Sequence, residues 1–308
     1  MEDGRRGGAL HGHARRGMAV AAASAVVSLA ALHLARAVRR ADIHLARTAQ
    51  GLAVVRTIAD EAGEPVRVLY QGGGYQSATY LGARRFLPVF EYCRGLDTMF
   101  DAEPAMRASS GHGIRRALML GGGGFAYPKH LLTTRDGIHM DVVEIDPGVV
   151  EVARRWFFLS ELEERLRDPN RSRGNGLAVH VADGRAFLNA AAPGGYDVVI
   201  NDAFSGTSPV ACLATAEAAA AAKACLTPGG LYLANVSSRG EGLDLSFLRD
   251  EVATLLTAFA HAHVVPSADE TFAGEDNYLV IATDGEYAFA DAVPFDGDFL
   301  GTVLHDGC

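Results

Sequence analysis

The chain has 308 residues, of which 49% are hydrophobic and 21% are charged, and its net charge at pH 7 is −9. This length and hydrophobic content predict one large globular domain, or one domain with smaller attachments. The negative charge argues against a general nucleic-acid-binding protein, so no nucleic-acid partner is expected. The four cysteines (93, 212, 225 and 308) show neither CxxC spacing nor a Cys/His zinc pattern, so no metal site is expected.

Residues 1–47 form a basic N-terminal extension that differs from the rest of the chain. Within it, residues 17–35 contain no acidic residue, lysine or arginine and are rich in alanine. Their length suits a membrane span, but arginines flank both ends and set no orientation. Three alternatives stay open: a membrane anchor, a signal peptide, or a soluble extension that is helical or unstructured. The protein is expected to be cytoplasmic, and membrane-anchored if the first alternative holds.

Residues 48–110 are predicted to form a small antiparallel β-unit followed by helix. Three short strands, Leu52–Ile58, Val66–Tyr70 and Tyr75–Leu81, are separated by turns rich in glycine and proline. The helical stretch that follows is predicted over 87–108.

Residues 111–308 alternate predicted strands with predicted helices. The strands are Ala117–Leu120, His139–Ile145, Ala178–Ala182, Tyr196–Asn201, Leu231–Val236, His263–Pro266 and Tyr278–Thr283. The helices are Gly148–Phe158, Ala186–Ala191, Thr215–Cys225 and Phe247–Phe259. The charged stretch Glu161–Gly176 is predicted to be an exposed connection. The alternation predicts an α/β fold, with a doubly wound, mostly parallel seven-stranded sheet that helices cover on both faces.

A run of glycines follows the first strand of this sheet directly. Gly121, Gly122 and Gly123 are candidate nucleotide-binding residues, because glycine lets the backbone approach a ligand closely. Doubly wound sheets hold nucleotides at this position, beyond the carboxyl end of the first strand. Glycine runs also form plain turns, so this feature alone leaves both interpretations open.

Two acidic residues end the second strand, about 20 residues further along. An acid at this position accepts hydrogen bonds from ribose hydroxyls, which makes Glu144 and Asp146 candidate cofactor ligands. Glu144 is the better ribose candidate, because Asp146 and Pro147 also fit the N-cap and first position of a helix. An NAD-binding fold shares this logic, but Ala126 stands where the third glycine of its fingerprint is expected.

The ends of the third and fourth strands carry further polar candidates. Asp183 and Gly184 follow the third strand, where the carboxylate either accepts from an adenine amino group or caps the next helix. Asp202 follows the fourth strand and is the candidate general base, with a solvated turn residue as the alternative. Since three neighbouring strand ends carry such groups, we expect them to face one ligand crevice.

These motifs, in this order, resemble the spermidine synthase family of aminopropyltransferases and its methyltransferase-like relatives. The resemblance covers roughly residues 51–284. The matching stretches are Tyr75-Gln76, LMLGGGG (118–124), DVVEIDPGVVEVARRWF (141–157), HVADGRAFL (180–188), YDVVINDAFSG (196–206) and LTPGGLYLANV (226–236).

The resemblance implies a sheet of the class I methyltransferase type that binds S-adenosylmethionine or its decarboxylated form as co-substrate, without a metal. It implies that Gln76 contacts the sulfonium end or amino-acid part of the nucleotide, Glu144 the ribose, and Asp183 the adenine. Asp202 would orient and deprotonate an attacking amine, in a reaction of polyamine biosynthesis that transfers an aminopropyl group. A homodimer formed through the β-unit is implied in the same way.

The sequence departs from the family pattern at positions that bind amines. Where the family has a loop Gly-Gly-Gly-Asp-Gly, this chain has Gly124 and Phe125 at the fourth and fifth positions. Where the family has Asp-x-x-Asp-Pro, Asp202 is followed by Ala-Phe-Ser-Gly, so the second Asp and the Pro are absent. No Tyr-His pair occurs near 96–102, where Asp97, Asp101 and Glu103 are the acids available as replacements. Three functions therefore stay open: aminopropyl transfer to a small amine, methyl transfer to another acceptor, and a non-catalytic nucleotide-binding or interaction module.

Overall fold

The computed structural model describes residues 42–60, 62–205, 208–237, 244–268 and 276–307. The chain divides into two compact units, Met1–His44 and Leu45–Cys308. The segment 17–35 lies outside the described residues. Within the described ranges, no helix has the length and apolar character required to cross a bilayer.

The first part of the fold is a four-stranded sheet with the order β1-β2-β3-β4. Its strands are β1 (Ile43–Thr48), β2 (Gly51–Ala59), β3 (Pro65–Gln71) and β4 (Gly74–Tyr80). The last three correspond to the predicted strands, and β2-β3 and β3-β4 pair antiparallel. β1 was not predicted, because it lies in the stretch assigned to the basic extension and buries little: Leu45 is 63% exposed and only Ala46 packs against the core.

The second sheet has seven strands in the order β12-β13-β11-β8-β5-β6-β7, which confirms the predicted α/β fold. Its strands are β5 (Arg116–Leu120), β6 (His139–Glu144), β7 (Gly176–Val181), β8 (Tyr196–Asn201), β11 (Leu226–Ser237), β12 (His261–Ala268) and β13 (Asp276–Thr283). Five run parallel from β7 to β11, and β13 runs antiparallel to both of its neighbours. Two short strands, β9 (Phe204–Ser205) and β10 (Ser208–Pro209), pair outside this sheet.

Helices cover both faces of the seven-stranded sheet. The α-helices of the described residues are α1 (Glu91–Gly95), α2 (Glu103–Ser110), α3 (Ala126–Thr134), α4 (Pro147–Trp156), α5 (Leu159–Arg167), α6 (Pro169–Ser172), α7 (Gly184–Ala190), α8 (Ala216–Cys225) and α9 (Ser246–Leu255). In β5, Ala117 and Met119 belong to the core on one face, and Leu118 and Leu120 to the core on the other. A strand buried on both faces is apolar at every position, which is why β5 forms a continuous apolar run.

Two stretches differ from their predicted structure. The prediction of an exposed connection over Glu161–Gly176 was wrong, because α5, α6 and the start of β7 occupy it. Leu159 and Leu162 are fully buried on one side of α5 while its many charges stay outside, so charge content concealed an amphipathic helix. The predicted helical stretch 87–108 is divided into α1, a 3₁₀ segment and α2.

A buried lysine joins the first turn of α3 to two neighbouring elements. Lys129 is 1% exposed, and its Nζ donates to Thr79 Oγ1 at 3.0 Å and to the carbonyl oxygen of Phe157 at 2.8 Å. Both acceptors are neutral, so burial dominates and lowers the pKa of Lys129 to about 7, from 10.5.

This lowered pKa predicts a pH dependence of stability. Between pH 7 and 10.5 the unfolded chain binds more protons at Lys129 than the folded chain, so the free energy of unfolding rises with pH. Lys129→Met removes this contribution. We therefore expect the free energy of unfolding of wild type, minus that of the variant, to increase from pH 7 to pH 9.5. Urea unfolding at both pH values measures it, and an unchanged difference would contradict the assignment.

Candidate active site

A cavity of about 510 Å³ opens at the carboxyl ends of β5, β6 and β8 and reaches β4 of the first sheet. Eight of the nine residues predicted from the sequence line it: Gln76, Gly121, Gly122, Gly123, Glu144, Asp183, Gly184 and Asp202. The carboxyl edge of a parallel sheet collects the residues that follow each strand, so positions far apart in sequence meet here. Asp146 does not line this cavity.

The turn after β5 requires glycine for steric reasons. Gly121 has φ +92°, and a Cβ added to it would lie 2.3 Å from the carbonyl oxygen of Asp202. Gly123 also has a positive φ, of +49°. The turn therefore runs close against the end of β8, and its backbone lines the cavity without a side chain in between.

Glu144 organises this turn. One carboxylate oxygen, Oε2, accepts from the N–H groups of Gly122 at 2.9 Å and Gly123 at 3.1 Å, and Oε1 accepts from Asp146 N–H at 2.9 Å. A carboxylate offers about four acceptor positions, so about one remains for a ligand hydroxyl. Glu144 thus has room for one ribose hydroxyl rather than for both, and it has a structural role in addition.

Asp146 is placed in the scaffold rather than in the cavity. Its Oδ1 accepts from Gly148 N–H at 2.8 Å, which caps α4, and its Oδ2 accepts from Gln50 N–H at 3.1 Å. Burial opposes ionisation, but the backbone donors at Ala49 and Gln50 outweigh it and hold the pKa of Asp146 below its usual value. Because these bonds occupy the carboxylate, the structure does not support the predicted role of Asp146 as a cofactor ligand.

The other predicted ligands, Asp183, Gly184 and Gln76, also line the cavity. Asp183 is exposed and caps α7 by accepting from Ala186 N–H at 2.8 Å, so both of its predicted roles are compatible with its position. Gly184 follows it at the start of α7. On β4, the amide nitrogen of Gln76 donates to the carbonyl oxygen of Gln71 at 3.1 Å.

Asp202 lies at the centre of a polar cluster that the sequence did not indicate. Its Oδ1 accepts from Asn235 Nδ2 at 2.8 Å, and its Oδ2 accepts from the Tyr92 hydroxyl at 3.3 Å. Burial raises the pKa of Asp202 to about 7, against the opposing effect of these two donors. Burial and the nearby Asp202 charge also raise the pKa of Tyr92 well above its usual value, so the phenol stays a proton donor.

Tyr92 and Asn235 were missed because each is distant from Asp202 in sequence. Tyr92 stands in α1, just before the stretch 96–102 in which the family pattern has a Tyr-His pair. Asn235 lies in the LANV stretch (233–236) of β11, and its side chain reaches Asp202 because β11 pairs with β8 in parallel. A polar residue near the carboxyl end of an otherwise apolar strand was the available signal for Asn235.

The acids proposed as replacements for the family's amine ligands do not line the cavity. Asp97 accepts from Tyr127 and pairs with His130, and Asp101 accepts from Ala290 N–H. Glu103 accepts from Ile114 N–H and pairs with an arginine. No group of metal-ligating side chains occurs among the described residues.

Gly124 shows why its position carries no acid. A Cβ added there would lie 2.4 Å from Ser77 Oγ and 2.8 Å from the ring of Phe157. The next residue, Phe125, is fully buried and adopts a left-handed backbone conformation with φ +54°. Since packing closes this corner, a longer side chain at residue 124 cannot be placed without moving its neighbours.

Comparison with known proteins gives consistent matches. The model of the spermine/spermidine synthase domain matches residues 105–251. The polyamine aminopropyltransferase of Vibrio vulnificus is 31% identical over 131 residues, which are 42% of this chain and 40% of that protein. The corresponding protein of Mycobacterium tuberculosis is 37% identical over 132 residues, 41% of this chain and 23% of that protein. The chain therefore matches less than half the length of these curated relatives.

Solved structures share the fold over a larger part of the chain. A probable spermidine synthase from Corynebacterium glutamicum superposes with a TM-score of 0.63 at 22% identity, covering 86% of this chain and 96% of that one. Spermidine synthase from Thermotoga maritima gives a TM-score of 0.60 at 18% identity, covering 82% and 76%. The domain match and the aminopropyltransferase relatives support the spermidine synthase family. The solved structures show that the fold is shared.

Proposed function

We propose that this chain is a spermidine-synthase-like transferase that binds decarboxylated S-adenosylmethionine in the cavity and transfers its aminopropyl group to a small amine. The observation that carries the proposal is the position of Asp202. Its carboxylate, with a pKa of about 7, lines the same cavity as Glu144 and the glycine turn. A single ligand bound in this cavity can therefore contact both the base and the nucleotide-binding turn. The named relatives support a transferase of this kind.

The donor lies along the edge of the seven-stranded sheet in this proposal. Asp183 accepts from the adenine amino group, Glu144 from one ribose hydroxyl, and Gln76 contacts the sulfonium end. All three side chains line the cavity, and so does Asp202. The sulfonium makes the leaving group good, so the protein's contribution is placement and the supply of a neutral amine.

The reaction is a direct displacement. The amine nitrogen gives its lone pair to the carbon next to the sulfonium, the bond from that carbon to sulfur breaks, and its electron pair returns to sulfur to give methylthioadenosine. The amine loses one proton, which the Asp202 carboxylate accepts. Asn235 and Tyr92 fix the orientation of the carboxylate through their hydrogen bonds.

A pH profile follows from the raised pKa of Asp202. The carboxylate must be ionised to accept a proton, so at saturating substrate we expect kcat to rise about tenfold per pH unit below pH 7 and to level off above it. Initial rates between pH 5.5 and 8.5, with radiolabelled donor, measure this profile. A rate that is flat from pH 5.5 to 7 would show that Asp202 is not the base.

A second candidate is methyl transfer from S-adenosylmethionine itself, and the closed corner at Gly124 favours it. The donor's free amine has no carboxylate at this position, because Ser77 and Phe157 fill the space. The products separate the two functions: aminopropyl transfer releases methylthioadenosine, and methyl transfer releases S-adenosylhomocysteine. We expect methylthioadenosine when the chain is incubated with both donors and an amine panel. S-adenosylhomocysteine alone would replace the first proposal by the second, and neither product would favour the non-catalytic module.

A further inference from the structure

The segment Gly301–Gly307 is bound along α8 and α9 by its backbone. The N–H groups of Thr302 and Leu304 donate to Asp250 Oδ1 at 2.6 Å and to Thr254 Oγ1 at 2.9 Å, both on α9. At the start of α8, Ala216 N–H donates to the carbonyl oxygen of Leu304 at 2.8 Å. The segment therefore has a fixed path, although it contains neither helix nor strand.

This path ends at an arginine of the cavity wall. Arg185, in the first turn of α7, forms a two-point ion pair with Asp306, with Nη2 to Oδ2 at 2.9 Å and Nη1 to Oδ1 at 3.4 Å. The same Nη1 donates to the carbonyl oxygen of Cys212 at 3.0 Å and to Thr215 Oγ1 at 3.1 Å. Thr215 in turn donates to Asp306 Oδ1 at 2.7 Å. Asp306 thus completes a closed network rather than a single surface contact.

The groups that this network joins form one part of the cavity wall, called here one end of the cavity. Arg185, Cys212, Leu213, Asp183 and Gly184 all line it. Leu213 lies against the start of α7, with its Cδ1 3.5 Å from the position of a Cβ on Gly184. Arg185 is therefore the link that keeps the segment before α8 against α7, at the end of the cavity where Asp183 is located.

We propose that Asp306 is a positioning residue for donor binding: through Arg185 it holds the wall formed by Cys212 and Leu213 against Asp183 and Gly184. The inference rests on the proposed function, because it takes that end of the cavity as the nucleoside end. It assigns to the segment Gly301–Gly307 a role in donor affinity, and none in the displacement at Asp202.

The position of the ion pair separates this role from a structural one. The side chain of Asp306 is 48% exposed and that of Arg185 is 16% exposed. An ion pair open to solvent on one side contributes little to global stability. Without the ion pair, the wall formed by Cys212 and Leu213 is less ordered in the free protein. The donor must then order this wall when it binds, which lowers the donor affinity. The coupling between donor binding and ordering of the segment Gly301–Gly307 is reciprocal. Bound donor must therefore also slow hydrogen exchange in this segment.

The test compares Asp306→Asn with wild type in the full chain. We expect the variant to bind the donor about 3- to 30-fold more weakly, the range for changes that act through intervening contacts. We expect the KM for donor to rise while kcat and the unfolding temperature stay unchanged. In wild type, donor should slow hydrogen exchange at the N–H groups of Thr302 and Leu304, and this protection should be weaker in the variant. Asp284→Asn is the matched control, because it removes a similarly exposed aspartate from its ion pair with Lys223, away from the cavity.

The outcomes decide between the two proposals. If wild type binds donor and Asp306→Asn binds it equally well, the positioning role is wrong and the proposed function stands. A loss of affinity that is matched by a large fall in unfolding temperature, or equalled in Asp284→Asn, also contradicts positioning. If wild type binds neither form of the donor, the proposed function fails and the inference fails with it.

Discussion

Asp202→Asn is expected to leave donor affinity within about twofold and to lower kcat by about 100- to 10,000-fold, the contribution of a well-placed general base. The amide has the shape of the carboxylate and still accepts from Asn235, so the cluster keeps its geometry. It cannot accept the proton that the amine must lose. Calorimetric titration with donor and initial-rate measurements with amine separate binding from turnover.

Stability provides an independent readout of the same change. Because the folded pKa of Asp202 is about 7 and its ordinary value is 3.8, the folded state binds more protons between these values. The free energy of unfolding of wild type therefore falls as pH rises from 4 to 7, and Asp202→Asn removes that fall. We expect the variant to be more stable than wild type at pH 8. Asp197→Asn, at the opposite end of β8, is the control: it should lower stability and leave kcat per folded molecule unchanged.

Glu144→Gln is expected to abolish measurable donor binding and to lower the free energy of unfolding by about 1–3 kcal/mol. The carboxylate accepts three backbone N–H groups, and an amide presents its NH₂ to at least one of them. The glycine turn then loses the acceptor that fixes it, and the ribose loses its partner. Calorimetry with donor and urea unfolding of the apo protein measure the two effects.

A second buried glutamate provides the matched control. Glu251 is 2% exposed, burial raises its pKa to about 8, and one of its carboxylate oxygens has no hydrogen-bond partner. Glu251→Gln replaces a group that is already mostly protonated at pH 7, so it should change neither stability nor donor affinity appreciably. Donor binding that survives Glu144→Gln would show that Glu144 is purely structural.

The fold was predictable because each strand of the seven-stranded sheet is a short apolar run with turn residues at its ends. β5 is apolar at four successive positions, Ala117–Leu120, because both faces of the sheet are covered. The helix α5 was not predictable from charge content, since its buried face consists mainly of Leu159 and Leu162. The sequence of β1 shows no sustained alternation of apolar and polar residues by which a strand could be predicted. This edge strand packs only Ala46 against the core, so it requires no such alternation.

Site residues that directly follow a strand were predictable from the sequence. Those that reach the site only through the tertiary structure were not. Glu144 and Asp202 are adjacent to the ends of β6 and β8, and parallel strands place such residues along one edge. Tyr92 reaches Asp202 across 110 residues of sequence, which no local pattern encodes. The case of Asp146 shows the converse: a cap and a ligand have the same sequence pattern, and only the bonds from Gly148 and Gln50 distinguish them.

Calorimetric titration of the full chain tests whether the cavity binds a sulfonium nucleoside. S-adenosylmethionine and its decarboxylated form are titrated separately into wild type and into Glu144→Gln. We expect saturable one-site binding of the decarboxylated form to wild type, tighter than that of S-adenosylmethionine, and no measurable binding to the variant. If folded wild type binds neither form, the cavity is not a site for a sulfonium nucleoside.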